Sequence, residues 1–327
     1  MTEPNRSQRL LSDAIARLPP AVARIVAQAL ARSRTLEREP GWKFDMSAGQ
    51  PATMSRIKRD LWTYYRQHGI DVPVTFRWYD DLRVRVFLGN DMSLCLYVGG
   101  SFEPNEFAFL RSVLRPGMTV IDGGANEGLY SLFAARRVGL SGTVLAIEPS
   151  TREYERLLAN LALNSLQRVV ALKVALGRTA GSALLAVAEA GHEGQNTVGS
   201  RVSNPKVATV DHEEVNLTTI DAIVGQRRLD RVDLIKLDIE GSEVDALEGA
   251  HTTIDRFKPL LLLEAEDERL AGQGRTKDEF RRVVESYGYR LWVFDASTAD
   301  LRAAVAPAEP EGNVVAAPAD WIPPQPR

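Results

Sequence analysis

Three acids stand where apolar runs stop. In Val232-Asp233-Leu234-Ile235-Lys236-Leu237-Asp238-Ile239-Glu240-Gly241-Ser242-Glu243, charged Lys236, Asp238 and Glu240 alternate with apolar Ile235, Leu237 and Ile239. On a strand that alternation puts the three charges on one face. A second run, Leu260-Leu261-Leu262-Leu263, ends at Glu264-Ala265-Glu266. Carboxylates at the end of a buried strand are costly unless they are used or paired. Pairing is available, since Lys236 could hold the acids ionised. A carboxylate that is used could take a proton from a hydroxyl as general base, and the same oxygen donors would suit Mg²⁺. Asp238, Glu240 and Glu264 are the candidate acids, and His192, in a polar stretch, is a fourth candidate base. The sequence shows no Ser/His/Asp or Cys/His set for covalent catalysis.

A second stretch with chemistry in it is Thr119-Val120-Ile121-Asp122-Gly123-Gly124-Ala125-Asn126-Glu127-Gly128, running into Leu129-Tyr130-Ser131-Leu132-Phe133. An apolar run ends in an acid, a glycine-rich turn follows, and an amphipathic helix begins. That is the first strand, loop and helix of a nucleotide-binding α/β domain. The free amides and positive dipole end of the new helix face whatever the loop holds. The G-x-G-x-x-G spacing of dinucleotide sites is absent, and the order is D-x-G-x-N-x-G. An acid ahead of the glycines would repel a pyrophosphate but would suit the cationic amino group and sulfonium of S-adenosylmethionine. The expected cofactor loop is therefore Asp122, Gly123, Gly124, Ala125, Asn126 and Gly128.

Glu148 ends the apolar run Val144-Leu145-Ala146-Ile147, 20 residues after Gly128. A strand-end acid in that place accepts hydrogen bonds from two ribose hydroxyls, and Pro149 and Ser150 complete its turn. Ala175 and Leu176, at the end of a strand over 169–174, mark the edge where an adenine would lie. Phe102, Glu103 and Glu106, just upstream of the glycine loop, could line the same cleft, or Glu103 could cap the helix that follows. Asp238 is expected to face this cleft as well.

These residues need a scaffold, and the periodicity supplies one. From residue 119 onwards strands and helices alternate, with strands over 143–147, 169–174, 232–239, 260–263, 289–294 and 313–317 and helices over 152–163 and 276–287. Weaker strands over 182–188 and 214–218 flank a polar segment, 189–210, long enough to act as a lid or substrate loop. Upstream, Val74, Phe76 and Trp78, then Val84, Val86 and Leu88, then Leu94, Leu96 and Val98 read as a three-stranded antiparallel meander. Before that come three amphipathic helical stripes. Leu10, Leu11, Ala14, Ile15 and Leu18 form the first, Val22, Ile25, Val26, Ala29 and Leu30 the second, and Ile57, Leu61, Trp62 and Tyr65 the third. A loop rich in Pro, Gly and Ser over 39–53 separates the last two.

Composition narrows the class. At 327 residues the chain can bury a full core without disulfides, and its single cysteine, Cys95, excludes a cysteine framework. No run reaches membrane-spanning length and no signal-peptide core is present, so a cytoplasmic, soluble protein is expected. The net charge is −3, yet Lys and Arg outnumber the acids 12 to 6 over residues 1–70. Those charges spread over several helices without interleaved aromatics, which argues against nucleic-acid binding. The apolar stripes of 1–70 need a partner surface, either the main domain or a second subunit in a homo-oligomer.

The motifs together carry a resemblance. V-I-D-G-G-A-N-E-G-L-Y-S, A-I-E-P-S, T-T-I-D-A-I at 218–223, K-L-D-I-E-G-S-E at 236–243, L-L-L-E-A-E ending at Glu266 and G-x-F-E-P-x-E from Gly100 resemble the FkbM family of S-adenosylmethionine-dependent methyltransferases. The likeness spans roughly 74–318. It implies an α/β fold, a Rossmann-like class I methyltransferase sheet, here with a helical N-terminal appendage (1–70) and a small β meander. The methyltransferase domain would cover 71–318, with 71–105 as lead-in and 319–327 as a Pro-rich tail. The resemblance further implies O-methylation of a small hydroxylated acceptor, a sugar or polyketide-type natural product. It assigns the loop at Asp122–Gly128 and Glu148 to the cofactor, although Glu127 stands where the family usually has an apolar or aromatic residue. Methyl transfer needs an aligned nucleophile and a base, for which Asp238 is the first choice and Glu240, Glu264 and His192 the others. A nicotinamide-dependent oxidoreductase, which would share the fold and Glu148, and a catalytically silent assembly partner remain the competing classes.

Overall fold

The computed structural model describes residue 14 and residues 18–31, 53–166, 168–295, 300–305 and 312–324. The helix expected over 7–18 and the loop expected over 39–53 fall almost wholly outside these. The chain forms two compact units, residues 1–104 with 190–194, and residues 105–189 with 195–327. The division comes at 104 rather than 70 because the strands after residue 71 pack on the helices before it.

In the first unit, α1 (Pro20–Ala31) opens with the proline its first turn tolerates. Its buried residues are Ala23, Ala27 and Ala31, while Val22 and Ile25 of the expected stripe are 41% and 69% exposed. The buried face is thus rotated away from the expected one, with Val26 and Leu30 left half-buried at its margin. Small residues four apart bring the helix backbone close to β1 (Val72–Trp78), and Gln28 uses that proximity. Its side-chain amide donates to the Thr75 carbonyl at 2.7 Å and accepts from the Thr75 amide at 3.0 Å. An otherwise open strand edge is thereby paired. Helix α2 (Thr53–His68) buries Leu61, Trp62 and Tyr65, as its stripe requires.

β1 pairs antiparallel with β2 (Leu82–Leu88). The third strand of the expected meander does not form, and Leu94–Gly99 is instead one wide helical turn. Asn90 sets this up: its side-chain oxygen accepts from the Ser93 amide at 2.8 Å and starts a helical segment at Asp91. Leu94, Leu96, Tyr97 and Val98 are all buried there, so alternation was no guide to a short run covered on every side.

The second unit holds an eight-stranded sheet ordered β13-β12-β14-β11-β10-β3-β4-β5. Its parallel centre comprises β3 (Thr119–Gly123), β4 (Thr143–Ile147), β5 (Val169–Leu172), β10 (Leu234–Leu237) and β11 (Leu260–Glu264). β12 (Tyr289–Phe294) lies beyond β14 (Asn313–Pro318), which runs antiparallel to both β11 and β12, and β13 (Leu301–Ala303) forms the edge. Near-continuous apolar runs suit strands covered on both faces, and all five residues of β3 are buried. The crossing elements include α3 (Pro104–Val113), α4 (Leu129–Val138) and α5 (Thr151–Asn164). Strand order reverses at β3, whose neighbours are β4 and β10, so the ligand crevice of an open α/β sheet falls at the carboxyl ends of these strands.

A smaller sheet, β6-β9-β7-β8, carries the insertion before β10. β7 (Gly181–Ala188) and β9 (Thr209–Thr218) form its long antiparallel arm. The expected strand over 169–174 stops at Leu172, and β6 (Ala175–Leu176) leaves the main sheet to pair with Leu217 and Thr218. Within the polar segment, β8 (Thr197–Val198) pairs with β7. The supposed loop is thus partly structured. Trp321, in the Pro-rich tail, packs edge-on against Trp292 and Phe109. Among the described residues no helix is long and apolar enough to cross a membrane.

Candidate active site

The glycine loop follows β3 as its sequence requires. Gly124 has φ +74 and Gly128 φ +95, both left-handed. A Cβ on Gly123 would stand 2.8 Å from both Leu176 Cδ1 and Leu237 Cδ2, so the loop backbone is packed from two sides. Asn126 also takes a left-handed conformation, φ +49, which a short polar side chain tolerates better than a branched one.

Glu148 ends β4 with its carboxylate enclosed by main chain. Oε2 accepts from the Asn126 amide at 2.8 Å and Oε1 from the Ser150 amide at 2.9 Å. Each oxygen therefore has one backbone donor and keeps capacity for another. Burial, and after it the nearby Glu153, pushes its pKa up to about 8 against the two amides and Lys236. The turn is itself fixed: Glu213 on β9 accepts from the Thr151 amide and hydroxyl at 3.0 and 2.6 Å, and Ser150 Oγ bonds Glu153. Acids at the start of α5 complement its dipole. Pro149 is half-buried, Ala175 and Leu176 are buried, and Leu176 lies beside Gly123.

Asp122, expected to face a cationic ligand, is 1% exposed and engaged internally. Ser131 Oγ donates to its Oδ2 at 2.6 Å and Lys236 Nζ lies 3.7 Å from Oδ1. Burial raises its pKa, and Lys236 and Ser131 oppose that. Lys236 is the hub of the region. Its ammonium donates to the Gly124 carbonyl at 3.1 Å, pairs with Asp238 at 3.2 Å and sits 4.8 Å from the centre of the Tyr130 ring.

The strand of expected alternating charges is shorter than its pattern. β10 stops at Leu237, and with Glu240 at φ +59 and Gly241 at φ +100 the chain leaves the sheet. Asp238 and Glu240 reach one place by that turn, not by sharing a strand face. One carboxylate oxygen from each of Asp238, Glu240 and Glu264 lies within 4.8 Å of the others. Asp238 keeps 28% of its side chain exposed, whereas Glu240 is buried against Arg269, Nη1 to Oε2 2.7 Å. Burial raises the Glu240 pKa well above the usual range against the pull of Arg269. Burial, then the charge of Asp238, does the same to Glu264. Glu243, which accepts from the Ile239 amide at 2.8 Å, is pushed by burial up to about 7. Glu106, hydrogen-bonded by Asn313 at 3.2 Å, is also raised by burial. Burial thus raises four acids around the half-buried Asp238.

Residues 195–204 of the polar segment border this cluster. Ser203 Oγ donates to the Glu240 carbonyl at 2.8 Å, Arg269 reaches Gln195 at 3.2 Å, and Gln273 donates to the Val198 carbonyl at 2.9 Å. Glu103 and His192 belong to the other unit. His192 is held there between Asp91, 2.6 Å from Nδ1, and Arg66, 2.8 Å from Nε2. Sequence reasoning missed Arg269, the one basic residue in the acidic run Glu264–Arg269, whose isolation was the available signal.

A family model described as the methyltransferase FkbM domain matches residues 122–291. Methyltransferase 1 of Beauveria bassiana is 28% identical over 144 residues, covering 40% of this chain and 57% of that protein. Methyltransferase sdnD of Sordaria araneosa is 29% identical over 154 residues, covering 40% and 59%. The AMB antimetabolite synthetase AmbE of Pseudomonas aeruginosa is 25% identical over 209 residues, 55% of this chain and 10% of its own length. The chain therefore spans less than two thirds of each of these relatives. The crystal structure of methyltransferase FkbM from Methylobacillus flagellatus KT aligns with a TM-score of 0.40 at 19% identity, covering 69% of this chain and 55% of that one. The matched residues make up more than half of the chain and run from the glycine loop through the acid cluster into β12, and this chain belongs to the FkbM methyltransferase family.

Proposed function

We propose that this protein transfers a methyl group from S-adenosylmethionine to a hydroxyl oxygen of a small acceptor, with Asp238 as general base. The observation that carries the cofactor is Glu148, whose two oxygens each hold one backbone amide and, once the carboxyl is ionised, can each accept one hydroxyl of a vicinal diol. Gly123 and Gly124 let the loop backbone pack against Leu176, Leu237 and the Asp238 carbonyl, which fixes the loop beside Glu148. When bound, the cofactor supplies an activated methyl group on a sulfonium. The chain's part is to align the acceptor and take its proton. Asp238 suits that role because it is half-buried rather than enclosed like Glu240 and is anchored by Lys236. Residues 195–204, fastened to Glu240 and Arg269, are placed to shape the acceptor side. The acceptor class we assign is a sugar or polyketide-type natural product.

The same acids have the donor type Mg²⁺ prefers. Arg269 already gives Glu240 a cationic partner, so the reading uses no metal. Titration calorimetry with S-adenosylmethionine, S-adenosylhomocysteine and NAD tests the cofactor; binding of NAD alone would mean an oxidoreductase. Asp238→Asn, assayed on a panel of sugars and hydroxylated natural products, should cut turnover by about 10²-fold or more. Activity lost to a chelator and restored by Mg²⁺ would reassign the acids as metal ligands.

A further inference from the structure

Glu127, at the tip of the glycine loop, does not face the crevice. Its carboxylate is 1% exposed, and Oε1 accepts from Arg156 Nη1 at 2.9 Å. Its carbonyl accepts from Asn160 Nδ2 at 2.8 Å. Arg156 and Asn160 stand one turn apart on α5, which begins three residues after Glu148, and both are buried. The flanking loop residues are tied to the same body. The Asn126 amide is the one that donates to Glu148, and a Cβ on Gly128 would stand 2.6 Å from Leu157 Cδ1. Three successive loop residues are thus registered against the strand end and helix that present Glu148.

A buried ion pair is a poor means of stabilising a fold. Desolvation offsets the attraction, and two apolar residues of similar volume often do as well or better. What the pair adds is direction, because a guanidinium and a carboxylate meet in few geometries. We propose that Glu127 and Arg156 are positioning residues that set the affinity for S-adenosylmethionine. They hold the Asn126 amide and the loop backbone in register with Glu148 without touching the ligand. Ordering the loop in advance lowers what binding must otherwise supply. The inference rests on the S-adenosylmethionine reading above.

The double variant Glu127→Met with Arg156→Met removes both charges at similar volume. It should melt at or above the wild-type temperature yet bind S-adenosylmethionine and S-adenosylhomocysteine about tenfold more weakly. Hydrogen exchange over residues 124–130 should quicken. Arg156→Lys, which keeps the charge and loses the planar guanidinium, should weaken both ligands by a smaller factor. Wild-type affinity in the folded double variant would overturn the inference. So would an affinity loss that only tracks a fall in melting temperature. Should the double variant fail to fold, Arg156→Lys decides, and unchanged affinity there overturns the inference. A wild-type protein that melts cooperatively and ignores both ligands would remove the cofactor reading, and this inference with it.

Discussion

The carbonyl oxygen of Asp238 occupies the space that a side chain on Gly124 would need: a Cβ built there would lie far inside van der Waals contact. The glycine loop and the turn bearing the proposed base therefore meet backbone to backbone. Gly124→Ala should fail on two counts, the clash and the left-handed φ of +74. We expect a loss of about 3 kcal/mol or more and no measurable S-adenosylmethionine binding. Thermal unfolding and calorimetry of the purified variant check this; near-wild-type values would show that the turn at Asp238 yields easily.

Glu148 makes stability depend on pH in an unusual direction for a carboxylate. Its folded pKa, about 8, lies above the ordinary value of 4.5. The contribution of its neutral form is therefore full below the ordinary value and is lost as pH rises through the folded one. Glu148→Gln stays neutral throughout. Its melting temperature should fall less steeply than that of the wild type between about pH 5 and about pH 8.5. Parallel curves in scanning calorimetry would refute the shift.

Lys236 neutralises a carboxylate that has no route to solvent. Lys236→Met would leave Asp122 uncompensated and release the Gly124 carbonyl. A cost of about 3–5 kcal/mol is expected, as for other broken buried pairs. Because Lys236 lowers the already raised Asp122 pKa, its loss should hurt more at alkaline than at neutral pH. Denaturant melts at two pH values would show equal losses if the ammonium acts only by packing.

In the other unit, Ala27 is fully buried on the face of α1 that meets β1. Ala27→Leu adds volume where the helix lies closest, and should destabilise that unit by about 1–3 kcal/mol. Ile25→Ala, on the exposed face, should cost far less. Hydrogen exchange in β1 and β2 reads this locally, and equal effects would mean the face assignment is wrong.

Much of the second unit was legible because its signals are local. The turn Asp122–Gly128, the acid Glu148 and the apolar runs of β3, β4, β10 and β11 lie within single windows of sequence. Failures came where distant residues decide, and at one local cap that periodicity overlooks. Val22 and Ile25 look like the buried stripe of α1, yet Gln28 and three alanines draw a different face against β1. Leu94, Leu96 and Val98 alternate like a strand, but Asn90 starts a helical turn ahead of them. The Arg156 partner of Glu127 lies 29 positions on, beyond any periodicity. Glu240 and Arg269 are likewise paired only by the fold.

Strand β14 lies between β11 and β12 although the chain makes it after both. On the ribosome, the strands carrying Asp122, Glu148 and Glu264 all emerge before the seam that joins β11 to β12. Until residues 313–318 arrive, β11 keeps an unpaired edge, and the nascent chain must wait with an adhesive strand exposed. A nonsense or frameshift lesion between β12 and β14 would therefore leave every loop and acid of the crevice in the polypeptide. What it would produce is an aggregation-prone fragment rather than a shortened enzyme.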